Sequence, residues 1–307
     1  MVTAHMMIPT AHFELQGHRG ARGLFPENTL EGIAATIALG VDAIELDVAV
    51  TADGVAVVFN DVALNADIVR APSGDWIASP PPLIKSLTVA ELGKYDVGRL
   101  KPQSPTSKRF ADQTPIDGAR IPTLAQVFAI TVSAGVRVDA ELKTLPTHPD
   151  ATVSPKDMAE LVIATARDSG ALDLLDLRAF DWRGLLHSET VRPGLRRTWL
   201  TSSATVSAHE LWWGCPISGS VPHTIASFGG GTWAPEHVDL TESAIQDAHS
   251  NGVRVIPWTV NEPTDIERLI DWGTDGICTD RPDIARAVMQ ERGLPLPPSR
   301  TTSPVPE

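Results

Sequence analysis

Apolar positions along the chain fall into two alternating rhythms. Runs rich in β-branched residues, with the two-residue period of strands, occur at 13–18, 42–50, 54–60, 135–143, 174–180, 197–201, 223–228, 252–260 and 276–279. Between them, residues 29–39, 123–134, 155–169, 241–251, 263–272 and 282–292 space their apolar side chains as helices do. Pro26 and Asn28 stand where a helix begins, and Asn251-Gly252 and Trp272-Gly273 read as helix stops. A repeated βα rhythm of this length predicts a mostly parallel α/β sheet, closed as an eight-fold barrel or left open. Nine strand candidates for eight places imply a hairpin partner or a false strand among them, and 223–228 is the weakest.

The rhythm breaks between about 62 and 120, a stretch rich in Pro, Gly, Ser and Lys and too long for an ordinary loop. It predicts a rim subdomain inserted after the third strand of a single domain spanning 11–292. Residues 293–307 hold five prolines and predict a disordered tail.

Composition narrows the function. The 307 residues carry a net charge of −13, unsuited to nucleic acid or an anionic membrane surface. Two cysteines, Cys215 and Cys278, are too few for a disulfide scaffold or a cysteine-based zinc site. No apolar run approaches the ~20 residues of a membrane span, so no membrane insertion is expected. The first ten residues lack the basic and apolar regions of a signal peptide. The compartment stays open: periplasmic or secreted if a leader was removed, otherwise cytoplasmic. Oligomeric state is equally open.

Four clusters carry chemistry. Gly17-His18-Arg19-Gly20, followed by Pro26-Glu27-Asn28-Thr29, places an imidazole and a guanidinium at a strand end, where barrel active sites lie. The plain alternative is a buried His in a tight turn. In Ala43-Ile44-Glu45-Leu46-Asp47-Val48, strand alternation puts Glu45 and Asp47 on one face and the aliphatics on the other. Two such acids repel unless Arg or Lys neighbours satisfy them or a cation joins them. Oxygen ligands at this spacing suit Ca²⁺ or Mg²⁺. Asp139, Glu141 and Lys143 share a face in the same way. Glu141 is a candidate third ligand, Lys143 a phosphate or charge partner, and Asp139 a deeper structural group. Trp258, in Pro257-Trp258-Thr259-Val260-Asn261, offers a flat wall for an alcohol or acyl group. Asp280, before Arg281-Pro282, reads as a helix cap.

Taken in order, these motifs resemble the glycerophosphodiester phosphodiesterase family, over about residues 17–287. The HRG turn, PENT helix start, ELDV strand with Thr51-Ala52-Asp53-Gly54, ExK strand, WTVN and TDRPD endings carry the likeness. The inserted stretch, with Tyr95-Asp96-Val97-Gly98, looks like one found in part of that family. The resemblance implies a TIM barrel and metal-dependent hydrolysis of glycerophosphodiesters such as glycerophosphocholine, with one divalent cation, Ca²⁺ or Mg²⁺; the acidic surface points to a small soluble phosphodiester. The resemblance also implies Glu45, Asp47 and Glu141 as metal ligands, His18 as half of an acid–base pair, and Arg19 and Lys143 on the phosphate. Glu27, one turn from His18, is a candidate to orient it or reach the metal.

One position departs from the pattern. The family's second catalytic His belongs at Asn60, in Val57-Val58-Phe59-Asn60-Asp61, and no His lies between His18 and His148. An amide cannot exchange a proton near neutral pH, and losing a positioned acid or base costs about 10²–10⁴-fold in rate. Three readings follow: an inactivating replacement, a natural branch whose substrate needs less acid help, or a phosphodiester-binding relative without turnover. A different barrel chemistry, proton abstraction beside a carboxylate with Lys143 as base, uses the same groups.

Overall fold

The structure, a computed structural model, describes residues 12–303. The leader reading of the first ten residues, residue 11, and the last four residues of the expected tail lie outside the described residues.

Among the described residues, nine strands and the helices between them follow in chain order. They begin with β1 (Glu14–His18), α1 (Leu30–Leu39), β2 (Ala43–Val50) and β3 (Ala56–Val58). The 62–120 stretch contributes two short helices, α2 (Val89–Leu92) and α3 (Pro105–Arg109). Then come α4 (Leu124–Ala134), β4 (Arg137–Leu142), α5 (Pro155–Asp168), β5 (Leu175–Ala179), α6 (Trp182–Val191) and β6 (Arg196–Thr201). Short helices α7 (Ser203–Ser207), α8 (His209–Trp213) and α9 (Val221–Ser227) precede β7 (Thr232–Pro235) and α10 (Glu242–Ser250). The chain closes with β8 (Arg254–Val255), α11 (Pro263–Asp271), β9 (Gly276–Thr279) and α12 (Pro282–Glu291).

Eight strands pair in parallel in the order β8-β7-β6-β5-β4-β2-β1-β9. The two ends meet through backbone bonds from Asp275 to Val255 (2.9 Å) and Cys278 to Pro257 (2.9 Å), which bring the sheet close to a closed ring. The fold is a nearly closed (β/α)₈ barrel. The surplus strand is β3, which pairs antiparallel with the end of β2 as a hairpin. The 223–228 run is helical instead. Ser220 caps it by accepting from the His223 N–H, Pro222 starts it, and Thr224 and Ile225 are its buried face. The barrel's actual sixth strand, β7 (Thr232–Pro235), is four residues long and follows three glycines, too short to show alternation. Within 252–260 only Arg254–Val255 is strand, because Pro257 has no N–H for a ladder.

Aliphatic residues of the strands face the helices and form the main core, with Ile44, Leu46 and Val48 fully buried. Trp182 stacks on Trp213 at 3.8 Å and meets Trp199 edge-on at 5.0 Å. The barrel interior is strongly polar, unlike the apolar layers usual for this fold. At its base Glu14 pairs with Arg137 (2.6 Å) and Arg254 (3.0 Å), and Arg137 reaches Asp176 (2.6 Å). Above them the buried Arg178 donates to Asp139 (3.0 Å) and Gln16 (3.2 Å). Asp139 is thus a structural partner.

The inserted stretch builds a second apolar cluster, in which Leu64, Ile68, Val69, Ile84 and Leu92 pack on Val57 and Phe59. Gln113 and Thr114 bond to the backbone of Arg22 and Leu24, tying the insertion to the loop after β1. The expected disorder of the tail is corrected for residues 293–303. Leu294 and Leu296 pack on the core, Arg286 donates to Pro297 O (2.7 Å), and Ser303 N bonds Ser133 (3.1 Å). Prolines lower the entropy lost on ordering such a strap, and these anchors outweigh the remainder.

Trp182→Ala is expected to lower unfolding free energy by about 3–5 kcal/mol, read from denaturant midpoints at unchanged slope.

Candidate active site

The site forms at the C-terminal mouth of the barrel because strand register lines up its groups. His18 on β1 lies level with Glu45 on β2; Asp47 on β2 lies level with Glu141 on β4, and Glu141 with Arg178 on β5. One carboxylate oxygen from each of Glu45, Asp47 and Glu141 lies within 4.8 Å of the others, and all three acids are buried.

The loop after β1 is shaped to serve this cluster. Gly17 packs so tightly on α1 that a Cβ there would meet Thr36 at 2.6 Å. Arg19 takes a left-handed backbone (φ 52°), uncommon for a residue with a side chain and concentrated at functional sites. That turn lets its N–H donate to Glu45 Oε2 (3.1 Å) while its guanidinium pairs with Glu27 (3.1 Å) and Asp47 (3.2 Å). Asn28, also left-handed, donates to Asp47 Oδ2 at 2.9 Å. Thr29 caps α1 by accepting from the Gly32 N–H (3.1 Å). The PENT motif therefore divides into a charge partner, an acid holder and a cap.

The electrostatics follow from crowding. Burial, reinforced by Asp47, pushes the Glu45 carboxyl up to about 8. Burial also works against Asp47 ionising, but Arg19, Lys143 and Asn28 overcome it and hold Asp47 below the usual carboxylate range. The two acids therefore split: the cations favour Asp47, and Glu45 carries the repulsion. Lys143 Nζ donates to Glu141 (2.7 Å) and lies 3.2 Å from Asp47 Oδ1. Asp47 Oδ1 itself is buried without a hydrogen bond. An all-oxygen set with a surplus of buried negative charge and an orphaned carboxylate oxygen fits a hard divalent cation.

His18 is held by a group that the sequence reading placed elsewhere. Asp280 does not cap α12: the cap position is Arg281, and no side-chain bond forms there. Instead Asp280 Oδ1 faces His18 Nδ1 at 2.6 Å and accepts from Arg22 Nε at 2.7 Å. Asn261 of the WTVN motif donates to Asp280 Oδ2 (2.9 Å) and accepts from the Asp280 N–H. Burial opposes a charged Asp280, but His18 and Arg22 keep it below the usual range and ionised. It must then accept a proton donated by Nδ1, which leaves the Nε2 lone pair of His18 on the cavity side, 3.7 Å from Glu45. Burial, then Arg22, pushes the His18 imidazole down to about 3 against the pull of Asp280. Glu27 does not orient His18; its oxygens pair with Arg19 and Arg22.

Three adjoining cavities open here. One of about 310 Å³ is lined by His18, Arg19, Glu45, Glu141, Lys143 and Trp258, among others. Trp258 stands edge-on to Phe180 (5.4 Å), and its indole N–H donates to Ala234 O. A larger cavity of about 570 Å³ shares Glu141 and Lys143, and one of about 430 Å³ shares Arg19 and Arg22; both are lined by Asn60. Asn60 donates to Asp61 Oδ1 (2.7 Å). Of the predicted site residues, His18, Arg19, Glu45, Glu141, Lys143 and Trp258 line the cavity of about 310 Å³, Asn60 lines the two that adjoin it, and Asp47 is fully buried beside Glu45 and Glu141. Sequence reasoning missed Arg22, Arg109, Arg178, Glu236 and His237, which line the same cavity. A polar residue on the inward face of β5 was the available signal for Arg178. The shortness of β7 hid Glu236 and His237.

A barrel whose mouth combines buried acids, cations and a carboxylate-held imidazole has the groups of an acid–base enzyme. The chain belongs to the glycerophosphoryl diester phosphodiesterase family, whose model matches residues 18–284. It is 27% identical to a glycerophosphodiester phosphodiesterase of Caldanaerobacter subterraneus, over 90% of this chain and 97% of the relative. Among solved structures, a putative glycerophosphoryl diester phosphodiesterase of Silicibacter pomeroyi superposes with a TM-score of 0.85 at 34% identity. That match covers 94% of this chain and 96% of the other. A phosphodiesterase of Oleispira antarctica, solved in complex with its product sn-glycerol-3-phosphate, shares the fold with a TM-score of 0.70 at 19% identity. It is covered over 96% of its length, against 90% of this chain.

Two outcomes are expected. Adding Ca²⁺ or Mg²⁺ at about 100 times its Kd raises stability by about 2.7 kcal/mol, seen as a higher melting temperature, and Asp47→Asn abolishes the rise. Asp280→Asn retains the fold by circular dichroism but lowers turnover at least ~10²-fold, because His18 loses its fixed tautomer.

Proposed function

We propose that this protein hydrolyses glycerophosphodiesters to glycerol 3-phosphate and an alcohol. The observation that carries the reading is the buried acid cluster beside the Asp280-held His18, in a chain of this family. Glu45, Asp47 and Glu141 would hold one divalent cation, Ca²⁺ or Mg²⁺, which supplies charge neutralisation at the phosphoryl oxygens when bound. Arg19 and Lys143 sit on the rim of that cluster and draw the phosphodiester anion into a surface that is otherwise acidic. His18 takes a proton at Nε2 from the attacking water or substrate hydroxyl. Its Nδ1–H stays on Asp280, so the ring need not turn over to act. Trp258 and Phe180 form the apolar wall for the alcohol. The small soluble substrate class follows from the −13 charge, which opposes an anionic lipid surface. Among the described residues no helix is long and apolar enough to cross a membrane.

Asn60 favours a second reading, a phosphodiester binder without turnover. The two are separated by incubating the protein with glycerophosphocholine and Ca²⁺ or Mg²⁺ and assaying glycerol 3-phosphate. Release by the chain, removed by a chelator, is the expected result. Ligand-dependent stabilisation with no release, by either the chain or Asn60→His, would establish the binder.

A further inference from the structure

Position 60 carries an amide, so the proton due to the departing alcohol must come from elsewhere. Nine histidines occur in the sequence. Among the described residues, six are bonded to groups away from the cleft: His12 to Asp42, His148 to Thr147, His187 to Glu160, His209 to Cys215 O, His223 to Asn251 and His249 to Asp275. Among the described residues, only His18 and His237 of the histidines line the cavity that also holds Arg19, Glu45, Glu141 and Lys143.

His237 sits just past β7, on the opposite side of the mouth from β2, with its backbone pinned by donation to Trp258 O at 2.8 Å. Trp258 lines the same cavity and is the wall proposed above for the alcohol. Neither ring nitrogen of His237 is hydrogen-bonded among the described residues. Nδ1 is buried, so Nε2 is the accessible nitrogen, and the residue lines both this cavity and a neighbouring one that holds Asn261 and Asp265. A half-buried imidazole with no partner, at the mouth of a cavity lined with charge, has no structural bond to explain it.

We propose that His237 is the general acid of this active site, in the role that Asn60 cannot fill. The inference rests on the hydrolytic reading above. As the bond from phosphorus to the attacking oxygen forms, the bond to the alcohol oxygen breaks. His18 Nε2 receives the nucleophile's proton and the alcohol oxygen receives the proton of His237 Nε2. Exchange with water then restores both rings. Charged groups around His237 are Glu236 beside it and Asp265 and Arg268 on α11, and the cavity it lines also holds Arg22, Arg109, Lys143, Glu45 and Glu141. Burial lowers its affinity for a proton from the ordinary value, with Asp265 opposing and Arg268 assisting. The acid form is therefore lost as pH rises through the region below about 6.5.

The test compares two esters of glycerol phosphate, choline and 4-nitrophenol, since nitrophenolate leaves without a proton. His237→Gln is expected to lower kcat on the choline ester about 10²–10⁴-fold and on the nitrophenyl ester less than about tenfold. In the unaltered protein, kcat for the choline ester should show an alkaline limb below the ordinary imidazole range, with no such limb for the nitrophenyl ester. Equal loss on both esters, no loss on either, or one pH profile shared by both overturns the assignment. Absence of glycerol 3-phosphate from both esters in the unaltered protein overturns the hydrolytic reading itself.

Discussion

Three carboxylates that repel one another in a water-poor barrel mouth set the terms for everything around them. Glu45 and Asp47 alternate onto the same face of one strand, and Glu141 joins them through the register of the next. Left alone, such a cluster would protonate or open. The protein answers with fixed donors on every side: the strained Arg19 turn, Asn28, Lys143 and, beneath, the Arg178 layer. These braces stop short of neutrality. Glu45 remains costly to ionise and one oxygen of Asp47 has no hydrogen bond, which leaves room for one more positive charge.

That reasoning reconciles a net charge of −13 with an anionic ligand. The charge relevant to recognition is that of the cleft, where Arg19, Arg22, Arg109 and Lys143 line the walls. The insertion contributes Arg109 to this ring, and Phe110 next to it lies under the Arg22 guanidinium at 4.8 Å. The rim element thus reaches the site with charge and positions a cation already there.

Local pattern revealed the parts of the site that depend on local pattern. Alternation in β2 and β4 disclosed the acids and Lys143, and the glycines and prolines around the first loop disclosed His18 and Arg19. The barrel rhythm was legible wherever strands were long. It failed at β7, where four residues after a glycine run cannot display a period, and so Glu236 and His237 went unseen. Asp280 was misread because the residue before Arg-Pro usually serves its own helix. Its bonds to His18, Arg22 and Asn261 are tertiary, and no local rule contains them. The ordered strap at 293–303 was hidden likewise: prolines look alike in a loose tail and in one anchored by Arg286 and Ser133.

The His18–Asp280 pair has a consequence for biosynthesis. Its members stand 262 residues apart, on the first strand and just beyond the last. During translation the imidazole emerges early and waits, unoriented, until nearly the whole domain has left the ribosome and β9 has docked beside β1. Chains terminated before Asp280 contain the acid cluster and His18 without the bond that orients the ring. The orientation of this imidazole therefore depends on chain completion.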